Sequence, residues 1–458
     1  MWAAASAVRT ILMNVIMKPN ILLVIPRYFS TPICGYIMPM GILYVSAALK
    51  ASGKCNVYTL NLNHCEEDDR TVLSRIFTEK NIHIVGSGGI SGQFIEIYPL
   101  MKTVKELAPH ITTVVGGGMM TADPVPAMDA FDGYADFGVI GEGEITMPEL
   151  VEAIGNGASR SRIKGLIYKE GTEWLITERR PDIMDLDSIP LPDYGGFDYD
   201  KYLETNGEVV DGIKYSPVAI IGGRSCKYNC TFCFHPSGSR YRQRSLDSIF
   251  SEIDYLLENY TVNYIALREE LFASDEKRVL EFCERAKSYP MIWSIQLRVD
   301  SVTETIVKAL KASNCRYVFL GIESADNRIL KSMRKNITIE QVEAALNMTI
   351  SAGMDTRSTV ILGDEFETME SATRTLEWWR EHRKYSAIDL GLIIAFPGST
   401  LYKHARLNGR IPDPVQFLRD GCPVINLSEN LSDEEFRSIA DKVSSYSGID
   451  FNIVKYNG

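Results

Sequence analysis

The 458-residue sequence has no run approaching the ~20 apolar residues that a membrane-crossing helix needs. Its nearest candidate, Ile11–Met17, is short and interrupted by Asn14. Only Arg9 carries charge before that run, and no small-residue cleavage site follows it, so it does not read as a secretory signal. The N-terminus is expected to be either a ragged leader or an upstream start with the natural start at Met17, and the expected compartment is the cytoplasm. An excess of basic charge is also missing. Lys and Arg number 48 against 59 Asp and Glu, a formal net charge of −11. Such a surface is a poor match for a phosphate backbone and excludes nucleic acid as a bulk partner. A disulfide scaffold is lacking too. The nine cysteines are odd in number, and six of them (Cys34, Cys55, Cys65, Cys283, Cys315 and Cys422) lie far apart. Those six read as small buried hydrophobes. The 45% hydrophobic and 23% charged shares exclude a disordered, collagenous or coiled-coil chain.

What is present is a strand–helix alternation in two stretches. Over 19–155, apolar runs at Ile21–Ile25, Val57–Leu60, His83–Val85, Thr112–Val115 and Phe137–Ile140 are separated by helical patterns such as Gly41–Ser52 and Glu96–Ala108. This spacing predicts an α/β unit, a doubly wound parallel sheet of the Rossmann type. Glycine clusters follow its third, fourth and fifth strands, at Gly86–Gly89, Gly116–Gly118 and Gly141-Glu142-Gly143-Glu144. Ligands of such sheets bind beyond the carboxyl ends of the strands, and glycine lets a large ligand approach the backbone. Gly86–Gly92 has the wrong spacing, after the wrong strand, for a nicotinamide fingerprint. One cluster alone would read as a tight βα turn. Three on one edge point to a ligand shelf.

Residues 156–215 read as a connector, with a small hairpin at Gly165–Tyr168 and Trp174–Thr177 and a proline-punctuated stretch at Leu186–Pro192. Over 216–405, six strands from Pro217–Gly222 to Ile388–Ile394 alternate with helices. They predict a partial (β/α)6 TIM-like barrel with its active site at the C-terminal strand ends. Residues 406–458 read as a short C-terminal helical region, with a helix near Asp433–Tyr446.

The three remaining cysteines, Cys226, Cys230 and Cys233, crowd into the loop after the first barrel strand. A structural zinc site needs four ligands, usually two pairs held apart. No second pair follows, and His235 is too near Cys233 to match the usual spacing. Three thiolates suit a 4Fe–4S cluster with one iron left open. A zinc knuckle and three idle thiols are the alternatives.

The spacing Cys226-x3-Cys230-x2-Cys233 resembles the signature of radical S-adenosylmethionine (SAM) enzymes. Other strand ends agree. Phe232 precedes the third cysteine, and Glu269-Glu270-Leu271-Phe272 resembles the Asp-Glu-x-Phe of related enzymes. Arg298 follows the third strand, Gly321-Ile322-Glu323-Ser324 the fourth and Phe396-Pro397-Gly398 the sixth. After the fifth, Gly363-Asp364-Glu365-Phe366-Glu367-Thr368 lacks the family's Pro-Gly pair. The first unit is similar to the cobalamin-binding domain of one large subclass, at Pro39–Tyr44, Gly116–Gly118 and Gly141–Glu144. The linker Leu186–Pro192 matches that subclass as well.

The resemblance implies a 4Fe–4S cluster on Cys226, Cys230 and Cys233. It implies SAM against Phe232, Glu269, Arg298, Glu323 and Ser324. Cobalamin is expected against Met40, Gly41, Ser87, Gly116, Gly117, Gly118, Gly141, Glu142 and Gly143. The Asp-x-His-x-x-Gly pattern that supplies a lower cobalt ligand is absent, and His64 reads as a surface or turn histidine. The implied function is reductive cleavage of SAM to a 5′-deoxyadenosyl radical and methylation of an unactivated carbon through methylcobalamin. The implied partners are a small-molecule or peptide substrate and a reductant such as flavodoxin or ferredoxin. A cobalamin-dependent cyclase or rearrangement enzyme is the second reading, and a non-catalytic cobalamin sensor or carrier the third. Arg240, Arg242 and Arg244 are expected to form a solvated basic edge, with an anion or a reducing partner as the functional alternative. Trp378-Trp379 is expected to be core. The short C-terminal region suggests an open barrel mouth.

Overall fold

The computed structural model describes residues 18–28, 36–210, 212–238 and 240–456. The expected leader and Cys34 lie outside the described residues. The first sheet contains β1 (Asn20–Ile25), β2 (Asn56–Asn61), β3 (Ile84–Gly88), β4 (Thr112–Gly116), β5 (Phe137–Val139), β6 (Leu166–Glu170) and β7 (Glu173–Ile176). Its order is β2-β1-β3-β4-β5-β6-β7, parallel from β2 to β5 and antiparallel beyond. All five expected strands are there. The hairpin expected in the connector is β6–β7, and it is not free-standing, because β6 pairs with β5 and extends the sheet.

The composition of β1 explains its central place. Ile21, Leu23 and Ile25 enter one apolar core while Leu22 and Val24 enter another, so both faces are buried. The helix Met40–Ser52 packs Leu43, Ala47 and Leu49 inward and ends at Gly53 with a left-handed φ of 62°. Four helices of this unit escape the sequence pattern: Asp69–Lys80, Gly118–Ala122, Pro124–Ala130 and Gly143–Asn156. Asp69–Lys80 buries only Val72 and Leu73, and Gly143–Asn156 starts inside a glycine cluster and contains Pro148.

Next come a short hairpin, β8 (Glu208–Val210) and β9 (Ile213–Tyr215), and the first barrel strand β10 (Pro217–Ile220). The two-residue strands β11 (Gly223–Arg224) and β12 (Arg242–Gln243) pair antiparallel. Then follow β13 (Tyr264–Leu267), β14 (Ile292–Arg298), β15 (Cys315–Glu323), β16 (Asp355–Leu362) and β17 (Ala387–Leu392). The second sheet runs β10-β13-β14-β15-β16-β17, parallel throughout and in chain order. Its first and last strands do not pair, so the six-stranded barrel is open, as the alternation predicts.

The helix Leu246–Asn259 is capped at its N-terminus by Ser245, whose hydroxyl accepts from the Ser248 amide. Trp379 is buried and donates to the Ile388 carbonyl, so it is core as expected, while Trp378 is half-buried and stacks on His382. The C-terminal helices do more than trail behind. Asp433–Ser447 buries Phe436, Ile439, Ala440 and Val443 against the barrel, and Pro414–Arg419 packs on the helix Pro124–Ala130 of the first unit. Cys55, Cys283, Cys315 and Cys422 are buried, and Cys65 is half-buried.

Candidate cofactor site

The cysteine loop is pinned at its base by the β11–β12 pair, so residues 225–241 leave and return at one point. Neighbouring helices hold its interior. The Thr231 amide donates to the Met333 carbonyl at 3.0 Å, and the Thr231 carbonyl accepts from the Leu401 amide at 3.0 Å. His235 bridges the Glu270 carboxylate and the Tyr228 carbonyl. Cys226 is half-buried, Cys230 buried and Cys233 exposed. The Cys230 and Cys233 thiols share a hydrogen bond that lowers the Cys230 pKa and raises the Cys233 pKa, and the nearby Lys335 and Arg298 charges add to the lowering at Cys230. A thiolate at neutral pH is the form that binds iron.

Among the described residues, no three His, Cys, Asp or Glu side chains converge as they would around a single ion. A 4Fe–4S cluster makes no such demand, because its cysteines bind separate irons.

Around this loop the barrel supplies charged and unsatisfied polar groups. Glu323 ends β15 with a left-handed φ of 69°, unusual for a residue with a side chain. Its carboxylate is paired with Lys335 at 2.5 Å in a buried setting. Burial opposes the lysine charge, but Glu323 holds its pKa above the ordinary value. Lys335 itself lies between two left-handed residues, Arg334 and Asn336. Arg298 pairs with Asp300, donates to the Lys335 carbonyl at 2.7 Å and lies 3.7 Å from the Tyr228 ring centre. Phe232 is half-buried, 5.9 Å from the Lys335 ammonium. Ser225 Oγ, Thr231 Oγ1 and Glu269 Oε1 are buried without a hydrogen-bond partner. Burial pushes the Glu269 pKa up to about 7. Orphaned polar atoms flanking an arginine and an ion pair suit a zwitterionic ligand such as SAM. Ser324 is turned elsewhere. Its hydroxyl lies 3.2 Å from Thr375 Oγ1 and accepts from the Asp326 amide.

The glycine shelf divides into two kinds of position. Gly88, Gly89, Gly116 and Gly117 pack backbone on backbone: the Gly89 amide donates to the Gly116 carbonyl at 3.2 Å, and a Cβ on Gly117 would stand 2.7 Å from the Gly89 oxygen. Gly41 and Gly141 instead face open space, and Gly141 has φ 80°. Those two are the positions where a large ligand can reach the chain. Gly118 lies against Phe234 and Pro236 of the cysteine loop, so the shelf and the loop touch. Gly143 brings its helix against Val45. Met40 is buried, and the Ser87 hydroxyl donates to the Val24 carbonyl at 2.8 Å. An open-faced glycine edge opposite the cysteine loop fits a flat, bulky group such as cobalamin. His64 does occupy a turn, after β2, but it is buried rather than on the surface, held by Tyr36 at 2.8 Å and by Asn61.

The largest departure from the sequence expectation concerns the arginines. Arg240 is exposed, but Arg242 and Arg244 are 4% and 6% exposed. They form no solvated edge, because each has a buried carboxylate partner. Arg242 Nη1 contacts both Glu142 oxygens, at 2.8 and 2.9 Å, and Arg244 pairs with the fully buried Glu252, which also binds Tyr194. Arg224 Nη1 reaches Glu142 at 2.6 Å and its other nitrogen binds Glu144. Burial opposes the Arg224 charge, yet Glu144 and Glu142 hold its pKa above the usual arginine range. One of these pairs left a trace in the sequence. Glu252 sits on the apolar face of its helix with Ile249, Phe250 and Ile253, where an acid requires a buried partner.

Residues 220–378 match the radical SAM superfamily, and residues 31–151 match the B12 binding domain. The chain belongs to the cobalamin-binding radical SAM enzymes. Its cofactors are therefore a 4Fe–4S cluster, SAM and cobalamin. This radical SAM enzyme is 27% identical to an uncharacterised methyltransferase of Pyrococcus horikoshii over 81% of this chain and 79% of the relative. It is 29% identical to the anaerobic magnesium-protoporphyrin IX monomethyl ester cyclase of Rubrivivax gelatinosus, over 79% of this chain and 66% of that protein. Its fold resembles that of TsrM from Kitasatospora setae, a radical SAM methyltransferase solved with cobalamin and a 4Fe–4S cluster bound. That match has a TM-score of 0.71 and 19% identity, over 86% of this chain and 79% of the other. Among the described residues no helix is long and apolar enough to cross a membrane.

Proposed function

We propose that this enzyme methylates an unactivated carbon of a small-molecule or peptide substrate, using cobalamin as the methyl carrier. The observation that carries this reading is the contact between Gly118 of the shelf and Phe234 and Pro236 of the cysteine loop, which sets the two cofactor-binding regions side by side. When bound, the cluster with SAM supplies a 5′-deoxyadenosyl radical and cobalamin supplies a methyl group. The chain's own part is positional. Cys226, Cys230 and Cys233 would hold the cluster. Arg298 and the Glu323–Lys335 pair set fixed charges for the carboxylate and ammonium of SAM, and Glu269 adds an unfilled acceptor. The surrounding buried strand ends keep water from a reactive radical. The relative in Pyrococcus horikoshii is named a methyltransferase, which favours methyl transfer, and the cyclase of Rubrivivax gelatinosus supports a second reading without it.

The test is product stoichiometry with reconstituted enzyme, SAM, methylcobalamin, a flavodoxin or ferredoxin reductant and candidate substrates. Methyl transfer yields S-adenosylhomocysteine together with 5′-deoxyadenosine. The cyclase reading yields 5′-deoxyadenosine alone, and a sensor yields neither. Cys230→Ala is expected to abolish the iron–sulfur absorbance and all turnover.

A further inference from the structure

We propose that Glu142, Glu144, Arg224 and Arg242 are positioning residues that make cobalamin and the iron–sulfur cluster bind cooperatively. The inference rests on the cofactor assignment and not on methyl transfer. Glu142 follows Gly141, the shelf glycine whose outer face is open. Its carboxylate meets both ends of the cysteine loop: Arg224 just before it and Arg242 just after it. Arg242 also donates to the carbonyls of Ser237 and Arg240 within the loop, and to Ile183 of the connector. The Ile183 amide returns a hydrogen bond to Glu142 at 2.6 Å. Arg224 stacks 5.3 Å above Tyr44, on the helix that carries Met40 and Gly41. Two carboxylates thus meet two guanidinium groups, all four nearly out of reach of solvent.

Such an assembly has a physical consequence. A buried charge stripped of its partner is costly, so the four groups become ordered together or not at all. A ligand lying on Gly41 and Gly141 narrows the freedom of the Gly141–Glu144 backbone, and the carboxylates then fix the base of the cysteine loop. The linkage is reciprocal by thermodynamic necessity: whatever orders the loop must tighten the shelf by the same factor.

The experiment is hydroxocobalamin titration of the full-length protein without iron and after cluster reconstitution, followed by visible absorbance. Affinity is expected to rise at least about fivefold when the cluster is present, the lower end of typical coupling. In Glu142→Gln the ratio is expected to fall to about one, and in Glu144→Gln, which touches only Arg224, to an intermediate value. Equal affinities in the two wild-type forms would overturn the proposal, as would a ratio unchanged in a folded Glu142→Gln protein. Hydrogen exchange on the iron-free wild type needs no variant. Hydroxocobalamin is expected to slow exchange over residues 225–241 at least threefold, and unchanged exchange there overturns the coupling. No readout uses turnover, so failed methyl transfer with intact cooperativity would sink only the functional reading.

Discussion

The glycine shelf and the cysteine loop touch at Gly118, yet they are built by opposite means. The shelf is made by leaving side chains out: Gly88, Gly89, Gly116 and Gly117 let two βα loops touch through bare backbone. The cysteine loop is held by adding charge in a place without water, through Arg224, Arg242 and the carboxylates at the start of the helix Gly143–Asn156. A backbone contact tolerates no added atom, whereas an ion network tolerates no missing one. The first kind of construction fails by clash and the second by an uncompensated charge.

That contrast can be broken at either side. The largest effect is expected at the network. Arg242→Met should lower stability by about 3–5 kcal/mol, the range for removing one partner of a buried pair. Urea unfolding of the iron-free protein measures it, and a loss below about 1 kcal/mol would place this network among ordinary surface pairs. Next comes the shelf. In Gly117→Ala the new Cβ meets the Gly89 backbone at 2.7 Å from a residue with φ 87°. The expected cost is about 2–3 kcal/mol, of which ~1–2 is the left-handed backbone itself, and hydroxocobalamin binding should weaken with it.

A smaller effect is expected from pH. The folded-state pKa of Glu269 is raised to about 7 by burial, so the folded chain holds this proton more tightly than the unfolded one. Its contribution is fully present below the ordinary carboxylate range and is lost as pH rises through about 7. Wild type should therefore lose on the order of 2 kcal/mol relative to Glu269→Gln between pH 4.5 and 7.5, read from urea midpoints. A difference that stays flat with pH would show the carboxyl to be solvated. The smallest effect is expected at a half-exposed ion pair between the first unit and the helix Thr400–Leu407. Asp123 accepts from Tyr402 at 2.9 Å and Arg406 at 2.8 Å. Asp123→Asn should cost less than about 1 kcal/mol by thermal unfolding.

The two constructions also differ in how well they can be read from sequence. Glycine clusters after strands are visible as letters, and so are the three cysteines, because both depend on residue type at short spacing. The strands were equally open to reading. Ile21–Ile25 is apolar throughout because it is buried on both faces, and the barrel strands recur at a regular interval. Helix Asp69–Lys80 was illegible because it buries only two residues and leaves no apolar stripe. Arg242 reads as a surface residue because its partner lies 100 positions away, in the loop after β5. Lys335 gave a weak local sign, an asparagine at 336 suited to left-handed backbone, but its pairing with Glu323 needs β15 to be in place. Ser87, chosen for cobalamin, donates to a neighbouring strand, a contact that depends on sheet order.

The chain-order arrangement of the second sheet bears on how the molecule assembles. Each barrel strand pairs with the next one made, so every pairing closes only a modest loop and the sheet can zip along the chain. Glu142 and Arg242, by contrast, meet only after both sheets exist and have docked. The mouth of the cysteine loop is therefore among the last parts of the fold to lock, and the growing chain presents its three thiols before it can grip a cluster. Iron loading belongs to the end of folding, after the first unit has formed, and a chain stalled before docking would display its metal-binding sulfurs to any oxidant nearby.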